Sequence, residues 1–196
     1  MKKTLALLIG SAWALWVPGC ARVAADMTVA KLYDSQLKIT ESEVVSLAEA
    51  MPESAYNFAP TQGAFEKART FGEQVKHIAT VNYMAGSAAA KEKPPVDLGT
   101  GEGGPESVKS KAQTVQYLKD SFAYGHTAMA KLTAENQLEM VPAPFPGMPP
   151  MARAGIANLA IWHSFDHYGQ MAVYARMNGV IPPASAPPAA TVGKKK

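Results

Sequence analysis

Cysteine is all but absent from this chain of 196 residues: the single copy is Cys20. Without a second cysteine there is no disulfide framework, and beyond residue 20 there is neither a thiolate metal ligand nor a cysteine nucleophile. Strands are missing as well, since no segment alternates apolar and polar residues convincingly. No stretch of helical periodicity carries a basic stripe, which argues against a nucleic-acid surface. Past residue 25 no run is long and apolar enough to cross a membrane.

The first residues are of a different kind. Lys2 and Lys3 precede an apolar run from Leu5 to Val17, and Val23-Ala24-Ala25 offers small residues for cleavage before Asp26. Residues 1–25 therefore read as an export signal, which would deliver the rest to the periplasm or cell envelope. An uncleaved N-terminal anchor is the alternative. Val17-Pro18-Gly19-Cys20 resembles a lipobox, at which Cys20 would receive a lipid anchor. The formal net charge of +3 includes Lys2, Lys3 and Arg22, so the mature chain is close to neutral and its charge selects no partner.

The remaining length suits one domain with a substantial core. Four stretches repeat apolar residues every three or four positions, as amphipathic helices do. The first covers about 28–51, through Val29, Leu32, Tyr33, Leu37, Val44 and Leu47, and Pro52 ends it. A linker with Pro60 and Gly63 follows. Thr70-Phe71-Gly72-Glu73 is a capping-box pattern that opens a second helix reaching about residue 90. A Pro/Gly-rich surface loop spans 94–105. A third helix is predicted over about 106–136, with Val108, Val115, Leu118, Phe122, Met129 and Leu132 on its buried side. Five prolines break the chain between 142 and 150, and a fourth helix runs over about 151–178 until Gly179 and Pro182-Pro183 stop it. The expectation is an all-α, antiparallel four-helix bundle over 26–183, with an Ala/Pro/Lys-rich disordered tail over 184–196.

Four histidines are candidates for chemistry. His163 and His167 stand four apart, on one helix face, so both imidazoles can reach one metal ion. Alone, that spacing suits a solvated face or hydrogen-bonded core groups equally well. Gln170 and Tyr174 continue the same stripe, along a helix otherwise rich in Ile156, Leu159, Ile161, Trp162, Phe165 and Met171. A polar stripe within apolar surroundings needs partners, because burying unpaired polar groups is costly. His77 lies among Val75, Ile78 and Val81; a lone core histidine is its bland reading and a third ligand its sharper one. Glu73, one turn earlier, has three readings: helix cap, fourth ligand, or partner of a ligand. His126 reads as peripheral and Asp166 as surface or outer-sphere.

Several blocks together resemble the DinB-like superfamily of metal-binding four-helix bundles, named for damage-inducible bacterial proteins. They are Met51-Pro52-Glu53 with Tyr56 and Phe58-Ala59-Pro60, then the run from Thr70 through Gln74 and His77 to Ala79, then His163, His167 and Tyr168-Gly169-Gln170, and last Tyr174 through Pro183. The resemblance implies that His77, His163 and His167 hold one divalent metal; histidine ligands suit Zn, Ni or Fe. It also implies kinship to thiol transferases, in which a metal activates a small thiol, although an exported protein would meet few cytosolic thiols. The expected function is a metal-dependent hydrolase or transferase acting on an unidentified small molecule. Gln170 and Tyr174 would orient what binds, and the 94–105 loop would cover the mouth. The alternative is a non-catalytic envelope bundle that binds metal or a small ligand. Homodimerisation through helix faces is compatible with either.

Overall fold

The computed structural model describes residues 27–187. The export signal, Cys20 with its lipobox, and residues 188–196 of the expected tail lie outside the described residues. Four helices form the body: α1 Val29–Ala50, α2 Phe71–Ala90, α3 Lys111–Met129 and α4 Arg153–Met177. None of them is long and apolar enough to cross a membrane.

Each start has a local cause. Thr28 accepts from the Lys31 N–H at the head of α1. At α2 the capping box forms as the sequence predicts: Glu73 Oε2 accepts from Thr70 N–H at 2.7 Å, and Thr70 Oγ1 from Glu73 N–H at 3.3 Å. Helix α3 is shorter at both ends than the predicted 106–136. Ser110 and Gln113 form a second capping box that fixes its first turn at Lys111, leaving Val108 outside the helix. At the other end, Thr133 and Asn136 bond each other's backbone N–H groups in a turn, which leaves Leu132 beyond the helix. Two short strands, which the sequence did not reveal, precede α4: β1 Met140–Val141 pairs antiparallel with β2 Met151–Ala152. Helix α4 therefore opens at Arg153, not 151. Residues 183–185, assigned to the tail from 184 onward, form one 3-10 turn, and Ser185 Oγ accepts from Arg176.

Cross-helix partners give the topology. Residues 34 and 49 of α1 meet 126 and 119 of α3, so these two helices run antiparallel. So do α2 and α4, where 74, 77 and 89 meet 170, 163 and 153. Along α2 and α3, however, Thr80 meets Tyr117 and Ser87 meets Tyr124, which advance together; this pair is parallel. Parallel neighbours need a connection that travels back the length of the bundle. The segment 91–110 makes that journey, and it passes the middle of α2 on the way.

The core is supplied by all four helices: Leu37, Val44 and Leu47 of α1, Val75 and Ile78 of α2, Leu118 and Phe122 of α3, and Met171 of α4 are fully or almost fully buried. Each side chain of this size contributes roughly 1.5–3 kcal/mol on burial. Leu32, expected on the apolar face of α1, is instead largely exposed. A second cluster joins Val81, Ala85 and Ala89 of α2 to Ile156 and Leu159 of α4, with Phe145 packed against it from the loop before α4. Arg153 closes that end, donating from Nε to the Ala89 carbonyl at 2.6 Å and from Nη1 to Glu139. His126 lies away from the interior, between Asp34 at 2.6 Å and Glu41 at 3.1 Å on α1.

Candidate metal centre

Helix α2 brings His77 and helix α4 brings His163 and His167 to one spot, where one ligand atom from each lies within 4.8 Å of the others. Their ring centroids are 4.5–4.9 Å apart. His77 and His167 are buried and His163 is partly covered. The antiparallel pairing of α2 and α4 at this height, and the four-residue spacing on α4, produce the convergence.

The outer nitrogens show how the rings are held. His77 Nδ1 donates to the backbone carbonyl of Glu102 at 3.0 Å, from the crossover segment between α2 and α3. His167 Nδ1 donates to Gln74 Oε1 at 2.5 Å. With protons on those Nδ1 atoms, the Nε2 atoms of both rings carry free lone pairs. His77 Nε2 is 3.1 Å from His163 Nε2. Two nitrogens bound to tetrahedral zinc at about 2.0–2.1 Å stand roughly 3.3 Å apart, so this spacing fits a pair of ligands. His163 Nδ1 is buried without a hydrogen-bond partner. Ring nitrogens converging in one buried place are what a shared cation would organise. The donor set suits a divalent ion of the Zn, Ni or Fe type.

Burial keeps these rings neutral, as ligands must be. It pushes His163, helped by His167 and His77, down to about 3 from 6.5. Burial and His77 push His167 down to about 4, against an opposing pull from Asp166. His77 is lowered by burial too, partly offset by the Glu102 carbonyl. The sign follows directly. Between about 6.5 and 4 the unfolded chain takes up protons that these rings refuse, so the stability they confer is present above 6.5 and is lost as pH falls. Each ring accounts for at most about 1.4 kcal/mol per pH unit. The urea midpoint of the metal-free protein should therefore hold near pH 7.5 and drop between about pH 6.5 and pH 5, less steeply in a His163→Leu variant. Equal slopes in the two proteins would assign the acid sensitivity to other groups.

The other sequence-predicted residues separate. Glu73 is exposed, and its carboxylate caps α2 rather than joining the three histidines. Gln170 joins the site indirectly, accepting from Gln74 Nε2 at 3.0 Å. Tyr174 is buried elsewhere, its ring edge-on to Phe58 at 5.7 Å, and does not reach the histidines as an orienting group. Asp166 accepts from Gln170 at 3.2 Å. Gln74, only 2% exposed, was missed by sequence reasoning although its place one turn before His77 was a usable signal. Glu102 gave no such signal, because its contact is made by backbone. Phe145 and Trp162 flank His163, with ring centroids 6.4 and 6.2 Å from its own.

Comparison with known proteins agrees with this architecture. The family model described as DinB superfamily matches residues 36–171, well over half of the chain. A solved DinB-like protein from Bacillus cereus ATCC 10987 superposes with a TM-score of 0.61 at 16% identity, covering 77% of this chain and 93% of that one. A DinB-like protein from Bacillus subtilis superposes with a TM-score of 0.55 at 18% identity, covering 76% and 92%. At these identities the likeness concerns the fold alone. No curated protein matches. The family match over the helices that carry all three histidines shows that this chain belongs to the DinB superfamily.

Proposed function

We propose that this protein is an exported, metal-dependent enzyme, a hydrolase or transferase that uses His77, His163 and His167 to hold one divalent ion. The observation that carries the reading is the number of ligands. Three imidazoles converge, the Glu73 carboxylate is engaged in the α2 cap, and Glu102 approaches only the outer nitrogen of His77. A three-ligand set leaves a coordination position open, which separates catalytic centres from closed structural ones. When bound, such an ion supplies a Lewis acid that renders a water or a thiol nucleophilic near neutral pH.

The chain's own residues do the rest. Glu102 and Gln74 hold the His77 and His167 rings from outside. Phe145 and the half-exposed Trp162 present an apolar wall beside His163, suited to the hydrocarbon part of a small substrate. Among the described residues no carboxylate joins the three histidines, and that of Glu102 lies 3.8 Å from His77 Nδ1, on the outer side of the ring. That favours a nucleophile acidified by the ion alone over general-base assistance. Export rests on the pattern of residues 1–25 and places this chemistry in the periplasm or envelope.

The test is turnover of ester and amide substrates, and of thiol–electrophile pairs, by protein loaded separately with Zn, Ni and Fe. Activity should vanish with a chelator and return with the ion. If no loaded form exceeds a His163→Ala/His167→Ala variant on any substrate class, the non-catalytic metal-binding bundle becomes the better description.

A further inference from the structure

Behind His167 runs a chain of polar groups whose direction is determined from one end. Gln74 Oε1 lies 2.5 Å from His167 Nδ1. Gln74 Nε2 lies 3.0 Å from Gln170 Oε1. Gln170 Nε2 lies 3.2 Å from Asp166 Oδ2. A carboxylate only accepts hydrogen bonds, so Gln170 must turn its NH2 group toward Asp166 and its oxygen toward Gln74. Gln74 must then present its own NH2 to Gln170 and its oxygen to the ring. An amide oxygen only accepts, so His167 must carry its proton on Nδ1.

We propose that the Asp166–Gln170–Gln74 chain sets the tautomer of His167, keeping its Nε2 lone pair free before any metal arrives. The consequence for metal affinity rests on the three-histidine reading above; the tautomer itself does not. Asp166 and Gln170 sit one turn apart on α4 and Gln74 comes from α2, so the chain also ties the two ligand-bearing helices together. Its composition has a physical logic. Asp166 and Gln170 stay at the surface, where the carboxylate is solvated, and only the neutral amide of Gln74 enters the interior, where a lone carboxylate would be expensive. A neutral amide also raises the basicity of the ring less than a directly bonded carboxylate does, which leaves a bound cation more electrophilic. Gln74, Gln170 and Asp166 are thus positioning residues, acting through His167.

The experiment is long-range 1H–15N correlation of the imidazoles in the metal-free protein at neutral pH, followed by Zn affinity from chelator competition. In the parent, His167 should show a single Nδ1–H tautomer. Asp166→Asn releases the direction of the chain, because an amide end can donate or accept. That variant should show mixed tautomers, with Zn affinity about 3–10-fold weaker and an unchanged unfolding midpoint. Gln74→Leu should weaken Zn by about 10–100-fold, and Gln74→Glu, which keeps an acceptor, should restore tight binding. An Nε2–H tautomer in the parent, or an Nδ1–H tautomer that persists in both Asp166→Asn and Gln74→Leu, would overturn the proposal. Expected tautomers with no Zn binding by the parent would uphold the relay and sink the metal reading instead.

Discussion

Saturation with the cognate divalent ion should raise the unfolding midpoint of this protein by roughly 10 °C, and His163→Leu should erase that rise without destabilising the metal-free form. An ion at a thousand times its dissociation constant stabilises the folded state by about 4 kcal/mol. For a domain of this size each kcal/mol is worth about 2–4 °C. The second half of the expectation is the more diagnostic. In the metal-free protein His163 contributes a buried Nδ1 with no partner and an Nε2 directed at His77 3.1 Å away. An unsatisfied buried polar atom costs about 1–3 kcal/mol, and leucine at that position removes it while keeping similar bulk. Leucine also withdraws the partner of His77 Nε2, so the two costs offset and the metal-free variant should match the parent within about 1 kcal/mol. A histidine retained for packing would leave the variant clearly less stable. Thermal melts of both proteins, each with and without Zn, Ni and Fe, provide the comparison.

The second large effect is expected at a glycine outside the ligand set. Gly104 sits in the crossover segment at φ +80, and a Cβ there would stand 2.8 Å from both Lys76 Cγ and Thr80 Oγ1 on α2. Thr80 Oγ1 is itself held by Tyr117 and the Lys76 carbonyl, and Lys76 Nζ by the Pro105 and Val108 carbonyls, so there is little room to yield. Left-handed backbone costs an alanine about 1–2 kcal/mol before any clash is counted. Gly104→Ala should therefore destabilise by about 2–3 kcal/mol in total. Lifting the segment also withdraws the Glu102 carbonyl from His77 Nδ1, and metal affinity should fall about 10-fold or more. Gly101 is the control: it has φ +68 but open space around it. Gly101→Ala should carry only the backbone cost and leave metal affinity unchanged. Equal effects at the two glycines, by urea unfolding and chelator competition, would mean that the segment does not support His77.

Both effects show where the sequence was legible. The four-residue spacing of His163 and His167 on α4 and the capping box of α2 are local features, governed by residues three or four apart, and the structure has both. The Ser110–Gln113 box was equally local, yet apolar periodicity continuing upstream through Val108 obscured it, so α3 was drawn too long. The two-residue strands carry too little pattern to be seen at all. Glu73 and Gln74 are adjacent, and only the charged one stands out in the sequence, as cap, ligand or partner of a ligand. Burial decides between them, since Glu73 serves the exposed helix end while Gln74 faces α4. The parallel course of α2 and α3, which brings the 91–110 segment past His77, depends on packing between distant elements and leaves no mark on any short stretch of chain. Tyr174 lies on the histidine stripe by spacing, but two turns of helix carry it to Phe58.

The most direct measurement is the metal content of the chain from residue 26 onward, expressed without an affinity tag and compared with a His163→Ala/His167→Ala variant. One equivalent of Zn, Ni or Fe in the parent and none in the variant is expected from a buried three-imidazole centre. A parent that holds no ion, even after reconstitution with each in turn, would mean that His77, His163 and His167 meet only as neutral groups of the bundle interior.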